Sequence, residues 1–206
     1  MAPRMNVEHM EARKRQIVDA ACTCFSRNGF HKTTMQDICA RAGMSPGAVY
    51  RYFPGKQAII AAMPERERVE NLAIIKNVSE NSDGGAYGAL TNLADIFFEK
   101  LSSMPKQDVR LEVELWAEAL RNPAILKACK SNTDSHINAF AKIIRQAQNS
   151  GELSPGVDAK TLSIALINLY VGLLQLMSMG ARVDMKEYLK QIKAMVGSFF
   201  NQAEAR

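Results

Sequence analysis

The segment TMQDICARAGMSPGAVYRYFPGK, near the N-terminus, is rich in residue types that bind phosphate groups. Tyr50, Arg51 and Tyr52 carry hydrogen-bond donors on side chains long enough to reach phosphate oxygens. Gly47 and Ala48 precede them, and their small side chains allow a backbone to approach the floor of a DNA groove. This combination favours contact with nucleic acid over a buried helix pair whose tyrosines only pack, because the polar tips cluster with basic residues.

Two short helices are predicted to position these residues. Thr34 can cap the free amides of a first helix, and Asp37, three residues later, completes a capping box. Gly43 supplies the left-handed conformation that ends this helix. Ser45 caps a second helix, and Pro46 sits at its first position, where a missing N–H costs nothing.

The pair forms a helix-turn-helix motif over residues 34–53, with its second helix at residues 46–53. Such a unit places its second helix in the major groove of DNA. Val49 and Phe53 are four residues apart and are predicted to anchor that helix to the rest of the domain.

Positive charge is concentrated beside this motif. Residues 1–60 contain nine lysines and arginines against four acidic residues, a net charge of +5 that equals the net charge of the whole chain. Residues 61–206 are therefore neutral overall. A basic region next to a helix-turn-helix motif is the electrostatic footprint expected of a DNA-binding head.

The N-terminal region resembles the TetR/AcrR family of one-component transcriptional regulators. The resemblance covers residues 11–71, and Cys39 and Met44, which stand where alanine and valine are common, are both apolar replacements. The residues that carry it are Phe25, Gly29, Phe30, Thr33, Thr34, Asp37, Ile38, Ala42, Gly43, Ser45, Gly47, Tyr50, Tyr52, Phe53 and Lys56.

The resemblance implies two sets of DNA contacts. The positions that match backbone-binding residues are Thr34, Ser45, Tyr50, Tyr52 and Lys56. The positions that face or approach the bases are Gly47, Ala48 and Arg51. Arg51 is the candidate for reading a guanine through two major-groove acceptors, although a simple phosphate contact is an equal alternative for it.

The chain is predicted to be all-α, with about nine helices in two domains. Residues 1–55 form a three-helix DNA-binding domain, and residues 56–206 form a helical domain for effector binding and dimerisation. Beyond the motif and the fourth helix, the predicted helices lie near residues 7–28, 86–103, 107–120, 123–149, 158–179 and 184–203.

Pro64 falls inside the fourth helix, which should leave Gly55. Because an interior proline removes a backbone hydrogen bond, the helix is expected either to bend there or to stop near Met63 and restart. In the family that this chain resembles, the fourth helix links the ligand pocket to the DNA head, so a kink is either a hinge or a static bend.

The last two predicted helices have the pattern of a dimer interface. Residues 162–179 are apolar on more than one side, and residues 184–203 carry one apolar stripe opposite a lysine-rich face. A two-fold dimer would present two heads to a palindromic operator, although both helices could also cover only the core of their own protomer. The candidate interface residues are Leu162, Ala165, Leu169, Gly172, Leu173, Leu189, Ile192, Val196 and Phe199.

An effector pocket is implied by the resemblance and not by spacing. The candidate lining residues are aromatic or flexible apolar types that also fill ordinary cores: Phe97, Phe98, Leu101, Met104, Trp116, Phe140, Ile144, Tyr170, Leu174 and Met177. Four acidic residues, Asp95, Glu99, Glu114 and Glu118, favour either a cationic effector or a solvated face.

Other classes of protein have little support. Three scattered histidines, no phosphate loop, no nucleophile elbow and no metal-ligand cluster argue against an enzyme, so neither a cofactor nor a metal is predicted. The four cysteines lack zinc spacing and are expected to be reduced core residues of a cytoplasmic protein. Polar residues interrupt the apolar stretch at 162–179, and no signal peptide is evident, so no membrane partner is predicted.

These observations lead to one functional prediction. The chain is predicted to be a ligand-responsive regulator, a repressor if it follows the majority of the family, that binds a palindromic operator as a homodimer and is released by a small lipophilic or aromatic effector. A helical enzyme and an architectural DNA-binding protein without an effector are the alternatives.

Overall fold

Helices and their connecting turns account for residues 2–201, the part of the chain that the computed structural model describes, and no strand occurs among them. Side chains are described for residues 7–200. The helices are α1 (Ala2–Lys32), α2 (Met35–Ala42), α3 (Pro46–Tyr50), α4 (Lys56–Asn81), α5 (Gly85–Ser103), α6 (Lys106–Ala119), α7 (Pro123–Asn149), α8 (Ala159–Ser178) and α9 (Met185–Asn201). The predicted all-α fold of about nine helices is confirmed.

Most helix ends lie where the sequence places them. Pro123 begins α7, Asp158 caps α8 by accepting a hydrogen bond from the Thr161 N–H, and Asn149 ends α7. α1 is longer than predicted at both ends, but Gly29, with φ 75° and ψ 166°, interrupts its helical geometry. The regular part of α1 therefore ends close to the predicted boundary.

The fourth helix is continuous through its proline. α4 runs from Lys56 to Asn81 with Pro64 in its interior, so the alternative in which the helix stops near Met63 is wrong. Ile59, Ile60 and Met63 are buried immediately before the proline. Burial of this apolar stripe outweighs one missing backbone hydrogen bond, because each large apolar side chain contributes about 1.5–3 kcal/mol.

The described chain divides into two compact units, whose boundaries differ from the predicted boundary at residue 55. The first contains residues 2–67 and 110–132, and the second contains residues 68–109 and 133–201. α4, α6 and α7 each contribute residues to both units. The first unit thus takes in the start of α4, most of α6 and the start of α7 together with the helix-turn-helix.

A shared apolar core explains why the first unit extends so far. Three residues of α6 and one of α7 belong to the same buried cluster as the apolar stripes of α1, α2, α3 and α4. These four residues are Leu111, Leu115, Ala119 and Ile125. The first unit, called the head below, is therefore completed by α6, a helix that begins more than fifty residues after the helix-turn-helix motif ends.

In the second unit, α9 packs against α5. Tyr87 and Phe200 contact each other with ring centroids 5.5 Å apart, and the Tyr87 ring lies over Gly197. Lys193 Nζ lies 2.7 Å from Asp95 Oδ2. Lys193 therefore faces α5, although the sequence pattern assigns it to a lysine-rich outer face.

α8 is the most apolar helix and carries a substantial exposed apolar surface. Its length and composition would allow it to cross a membrane. Only 22% of its most apolar window is buried. Ile164 and Leu176 of α8 are exposed, and Met179, the residue that follows the helix, is 69% exposed. Asn168 and Gln175 lie on the same outward face.

The four cysteines are free thiols inside the first unit, two of them buried and two half-buried. Burial raises the pKa of the Cys22 thiol to about 12, and Glu112 and Asp19 add to the effect although Arg66 opposes it. Cys22 is therefore a neutral thiol at physiological pH, as expected of a core residue.

Replacing Leu115 with alanine should destabilise the head although Leu115 lies far from the motif in sequence. Leu115 is 4% exposed within the shared core, and removing such a leucine costs about 2–5 kcal/mol. The matched control is Leu120→Ala in the same segment, because Leu120 is 83% exposed and its loss should change stability by less than about 0.5 kcal/mol. Urea denaturation checks both variants, and equal midpoints would contradict the assignment of α6 to the head.

Candidate nucleic-acid interface

The first helix of the predicted motif begins with a complete capping box. Thr34 has extended backbone geometry, and its Oγ1 accepts a hydrogen bond from the Asp37 N–H at 3.2 Å. Asp37 Oδ2 in turn accepts from the Thr34 N–H at 2.8 Å and from the Thr34 hydroxyl at 2.7 Å. These hydrogen bonds hold the pKa of the Asp37 carboxyl below its ordinary value, since they favour its charged form.

The turn between the two helices has the predicted geometry. Gly43 is left-handed, with φ 64° and ψ 32°, and its N–H donates to the Ala40 carbonyl at 3.2 Å. Ser45 then caps α3 by accepting from the Ala48 N–H at 3.3 Å, and Pro46 occupies the first helical position. Three residues therefore separate α2 from α3, as expected of a helix-turn-helix.

α3 is shorter than predicted, since it ends at Tyr50 and is followed by a turn. The helix spans Pro46–Tyr50, and the N–H groups of Tyr52 and Phe53 both donate to the Val49 carbonyl, at 2.9 and 3.0 Å. Val49 is fully buried and Phe53 is 6% exposed, which confirms that these two residues anchor the helix. A tight turn after α3 thus replaces the predicted last helical turn.

The opposite face of α3 is open to solvent. Tyr50 is 50% exposed, and Ser45, Gly47 and Arg51 are also exposed. A Cβ atom added to Gly47 would meet no other atom within 4 Å, and the backbone at Gly47 does not have positive φ. The fold of this protomer therefore has no need of a glycine at this position.

The basic side chains of the head are available to a polyanion. Arg27, Lys32, Arg41 and Arg51 are all exposed. Exposed guanidinium and ammonium groups on one small unit attract phosphate and release counterions when they bind it. The first unit thus combines an exposed short helix with an excess of accessible positive charge.

Lys56, the first residue of α4, is hydrogen-bonded within the first unit. Its Nζ donates to three backbone carbonyls, those of Phe30 at 2.6 Å, Thr33 at 2.8 Å and His31 at 3.2 Å. An ammonium group has three N–H donors, and all three are used here. Lys56 therefore makes a structural contact with the end of α1 in the protein alone, and its contact with the DNA backbone stays a prediction.

Two family models match the sequence of this chain. The model of bacterial regulatory proteins of the tetR family matches residues 17–63, which contain the helix-turn-helix. The model of the BetI-type transcriptional repressor, C-terminal, matches residues 92–201, more than half of the chain. This chain belongs to the TetR family of transcriptional regulators.

Relatives of similar length agree with this family assignment. The HTH-type transcriptional regulator UidR of Escherichia coli K12 is 28% identical over 200 residues, which cover 96% of this chain and 97% of UidR. The solved structure of Salmonella enterica GusR is similar with a TM-score of 0.72 and 25% identity, covering 92% of this chain and 96% of GusR. The structure of SmeT from Stenotrophomonas maltophilia has a TM-score of 0.69 and 26% identity, covering 89% and 87% of the two chains.

The predicted effector residues of this TetR-family chain are divided between the two units. Trp116 belongs to the first unit, and the other nine belong to the second. Phe97 and Phe98 of α5 both contact the Tyr170 ring of α8, with centroids 6.4 and 5.8 Å apart. Leu101, Ile144 and Leu174 are buried core residues, whereas Met104, Phe140 and Met177 are partly exposed.

Two of the four acidic residues considered for a cationic effector have basic partners. Asp95 is paired with Lys193 in the second unit. Glu118 is buried in the first unit, where its Oε1 lies 3.4 Å from His31 Nε2 and 3.7 Å from Arg121. Glu114 Oε2 lies near Gly29 of the same unit. Asp95, Glu114 and Glu118 therefore have local structural contacts.

Three of the predicted dimer residues are buried within the protomer. Leu173, Ile192 and Val196 are each less than 9% exposed and form part of the core of the second unit. The apolar stripe of α9 is partly covered by its own protomer, where α9 packs on α5. The remaining predicted residues, Leu162, Ala165, Leu169, Gly172, Leu189 and Phe199, are exposed or half-buried.

The role of α6 in the head has no distinct signal in the sequence. Its apolar residues recur at helical spacing, which predicts that one face is buried but not which unit buries it. The Lys56 contact is equally hidden, because a lysine after a glycine turn is also the residue type that binds phosphate. Both features become visible only when the elements are brought together in space.

The stability that the capping box contributes should decrease at low pH. The folded pKa of Asp37 is lower than the unfolded pKa, so the contribution of Asp37 is present above the ordinary aspartate range and is lost as pH falls through the folded pKa. An NMR titration of the Asp37 carboxyl should give a midpoint below the ordinary pKa of an aspartate. Thr34→Val should move that midpoint upward, and a midpoint that is normal in the unmodified chain would contradict the capping geometry.

Proposed function

We propose that this TetR-family regulator is a dimeric repressor that binds a palindromic operator through α3 and is released by a small apolar effector. The observation that carries the proposal is the pairing of a fully buried Val49 with an exposed opposite face on the same five-residue helix. A helix that short is stable only when it is packed against a domain. The exposed face of α3 therefore indicates a binding partner outside the protomer. The exposed basic groups of the same unit indicate that this partner is DNA.

We assign DNA contacts to the side chains around α3 and at the start of α2. Ser45, Tyr50 and Tyr52 are assigned to the DNA backbone, and so is Thr34, the N-cap residue of α2. The assigned base-facing residues are Gly47, Ala48 and Arg51. The hydroxyl of Thr34 already donates to Asp37, so a phosphate at Thr34 would compete with the capping box.

A second copy of the chain is the proposed occupant of the exposed face of α8. A five-residue helix reaches only a few base pairs, so useful affinity requires two heads on one operator. The exposed apolar residues of α8, together with Ala165 and the half-buried Gly172, would allow close approach of the same helix from a partner. Asn168 and Gln175 on this face favour a protein partner over lipid, because amide groups are costly to place in hydrocarbon.

Repression and an apolar effector are the finer parts of the proposal. Repression is supported by the description of the matched C-terminal model as that of a transcriptional repressor. The effector is assigned to the second unit, where Phe97, Phe98 and Tyr170 converge. The FadR of Bacillus subtilis, whose solved structure is in complex with stearoyl-CoA, has the same fold with a TM-score of 0.74 at 17% identity, so the fold is compatible with a lipophilic ligand.

The cellular location follows from the proposed partner. A regulator that binds operator DNA acts in the cytoplasm of a bacterial cell, and we assign the chain to that compartment. An architectural DNA-binding protein would bind DNA without responding to an effector, and a helical enzyme would not bind an operator. Measuring operator binding with and without an effector therefore separates both alternatives from the proposal.

Gly47→Ala should separate DNA binding from folding. Because the site has room for a Cβ and ordinary φ, the substitution should stabilise the head slightly, by up to about 1 kcal/mol. The added methyl group would project toward the groove floor and should weaken binding to a selected operator at least about tenfold, a loss near 1.4 kcal/mol. Thermal denaturation and fluorescence anisotropy measure the two effects.

The matched control for Gly47→Ala is Gly156→Ala in the α7–α8 connection of the second unit. A Cβ there would meet only Ser154 Oγ, at 3.7 Å, so operator binding should be unchanged. If Gly47→Ala bound the operator as tightly as the unmodified chain, the exposed face of α3 would not be the reading surface.

Ile164→Glu should convert the dimer to a monomer. Ile164 is exposed in the protomer, and a partner would bury the new carboxylate without a counter-charge. Val69→Glu is the control, because Val69 of α4 is also an exposed apolar residue but lies outside the proposed interface. Sedimentation velocity should give a monomer for the first variant and a dimer for the second, and a dimer for both would rule out this face of α8.

A further inference from the structure

A second basic segment of the head surrounds the α6–α7 turn, which comprises residues 120–122. Residues 119–132 contain three basic residues and no acidic one, a net charge of +3. The basic residues are Arg121, Lys127 and Lys130, and all three are exposed. Residues 61–206 are neutral overall, so a count of charge along the chain hides this segment. The fold brings it into the same compact unit as the helix-turn-helix.

Hydrogen bonds hold the α6–α7 turn against the start of α4. Asn122 Nδ2 donates to Gln57 Oε1 at 3.2 Å, and Gln57 is the second residue of α4. Asn122 Oδ1 accepts from the Ala124 N–H at 2.9 Å and from the Ile125 N–H at 3.4 Å, so the same side chain caps α7. The position of the turn beside α4 is therefore fixed by the residue that begins the next helix.

The α6–α7 turn also lies beside the end of α1. Glu118 Oε1 is 3.4 Å from His31 Nε2 and 3.7 Å from Arg121 Nη1. His31 is three residues before Thr34, the N-cap of α2, and its carbonyl accepts a hydrogen bond from Lys56 at 3.2 Å. One edge of the head therefore combines the end of α1, the start of α2, the start of α4 and the α6–α7 turn.

The Arg121 guanidinium is accessible at this edge. Its side chain is 71% exposed, and its ion pair with Glu118 is long, at 3.7 Å. An ion pair with so exposed a partner contributes little to stability, so Arg121 can exchange it for another anion at small cost. A planar guanidinium binds the oxygens of a phosphate group with two parallel hydrogen bonds.

We propose that Arg121 contacts a backbone phosphate of bound DNA, so that the DNA-binding surface extends from the helix-turn-helix to the α6–α7 turn. Lys127 and Lys130 raise the positive potential of the same segment and attract the strand toward it. The inference rests on the proposed function, because it assumes that the head binds DNA. It adds a residue that lies outside the motif and far from it in sequence.

The test uses Arg121→Gln in the full-length chain, because glutamine keeps a polar side chain and removes the charge. The slope of log affinity against log KCl concentration is measured on a duplex that the unmodified chain selects from a random-sequence pool. The slope should be smaller in magnitude by about 0.9 for each head that binds, the value of one lost phosphate contact. Arg121→Lys should keep the slope of the unmodified chain, because lysine also binds phosphate as a point charge.

Arg110→Gln is the matched control. Arg110 is an exposed residue near the other end of α6, about 16 Å from Arg121 along the helix axis. The substitution removes the same charge from the same unit, so it separates a local contact from the effect of net charge. Its salt slope should equal that of the unmodified chain, and both variants should keep the melting temperature measured without DNA.

Ethylation interference on the same duplex tests whether the contact is direct. At least one phosphate of each half-site should weaken binding of the unmodified chain when it is ethylated, and should have no effect on Arg121→Gln. All other interfering phosphates should be common to the two proteins, because the helix-turn-helix is unchanged.

Three results would overturn the inference. They are an unchanged salt slope for Arg121→Gln, an equal decrease for Arg110→Gln, and an interference pattern that is the same with and without Arg121. The proposed function fails in a different way. If the unmodified chain binds no duplex at low salt, both proposals are wrong, whereas binding by the unmodified chain with an unaltered slope for Arg121→Gln contradicts only the Arg121 contact.

Discussion

Burial of Val49 and Phe53 in the head core is the interaction on which the DNA-binding unit depends. α3 has five residues, far fewer than the roughly 12–15 that an isolated helix needs for even marginal stability. Its two anchors contribute about 1.5–3 kcal/mol each when buried. The rest of the head supplies the surface into which they pack, so the position of Arg51 and Tyr50 is set by apolar contacts on the opposite side of the helix.

This requirement accounts for the extent of the head. A helix-turn-helix whose helices span only residues 35–50 cannot bury a core by itself, and α1 supplies only one apolar stripe. The start of α4 and residues of α6 and α7 complete the cluster. Polar contacts then define where elements end: the capping box starts α2, Gly43 ends it, and Lys56 closes α1. Each cap contributes about 1 kcal/mol, so the caps specify geometry whereas the core supplies most of the stability.

Local features of the sequence predicted the head well, because capping and turn chemistry act over three or four residues. Thr34, Gly43 and Pro46 have the expected roles, and Val49 and Phe53 are buried as expected. The end of α3 was overestimated, since the helical spacing of Val49 and Phe53 also fits a tight turn that brings Phe53 to the core.

Features that depend on tertiary contacts were not predictable in the same way. The apolar stripe of α9 has the same spacing whether it faces α5 or a partner, and the structure buries Ile192 and Val196 inside the protomer. Lys56 has a residue type suited to phosphate, but three carbonyls take its donors. α8 is the opposite case, because most of its apolar surface remains exposed in the protomer.

The central claim is that the exposed face of α3, held by the head core, is the surface that contacts DNA. Amide NMR of the unmodified chain during titration with a selected duplex tests it most directly. The account predicts that the largest shifts fall on residues 34–52, with small shifts across the α6 residues of the head core. Large shifts confined to α6, or to helices of the second unit, with α3 unaffected, would contradict the account.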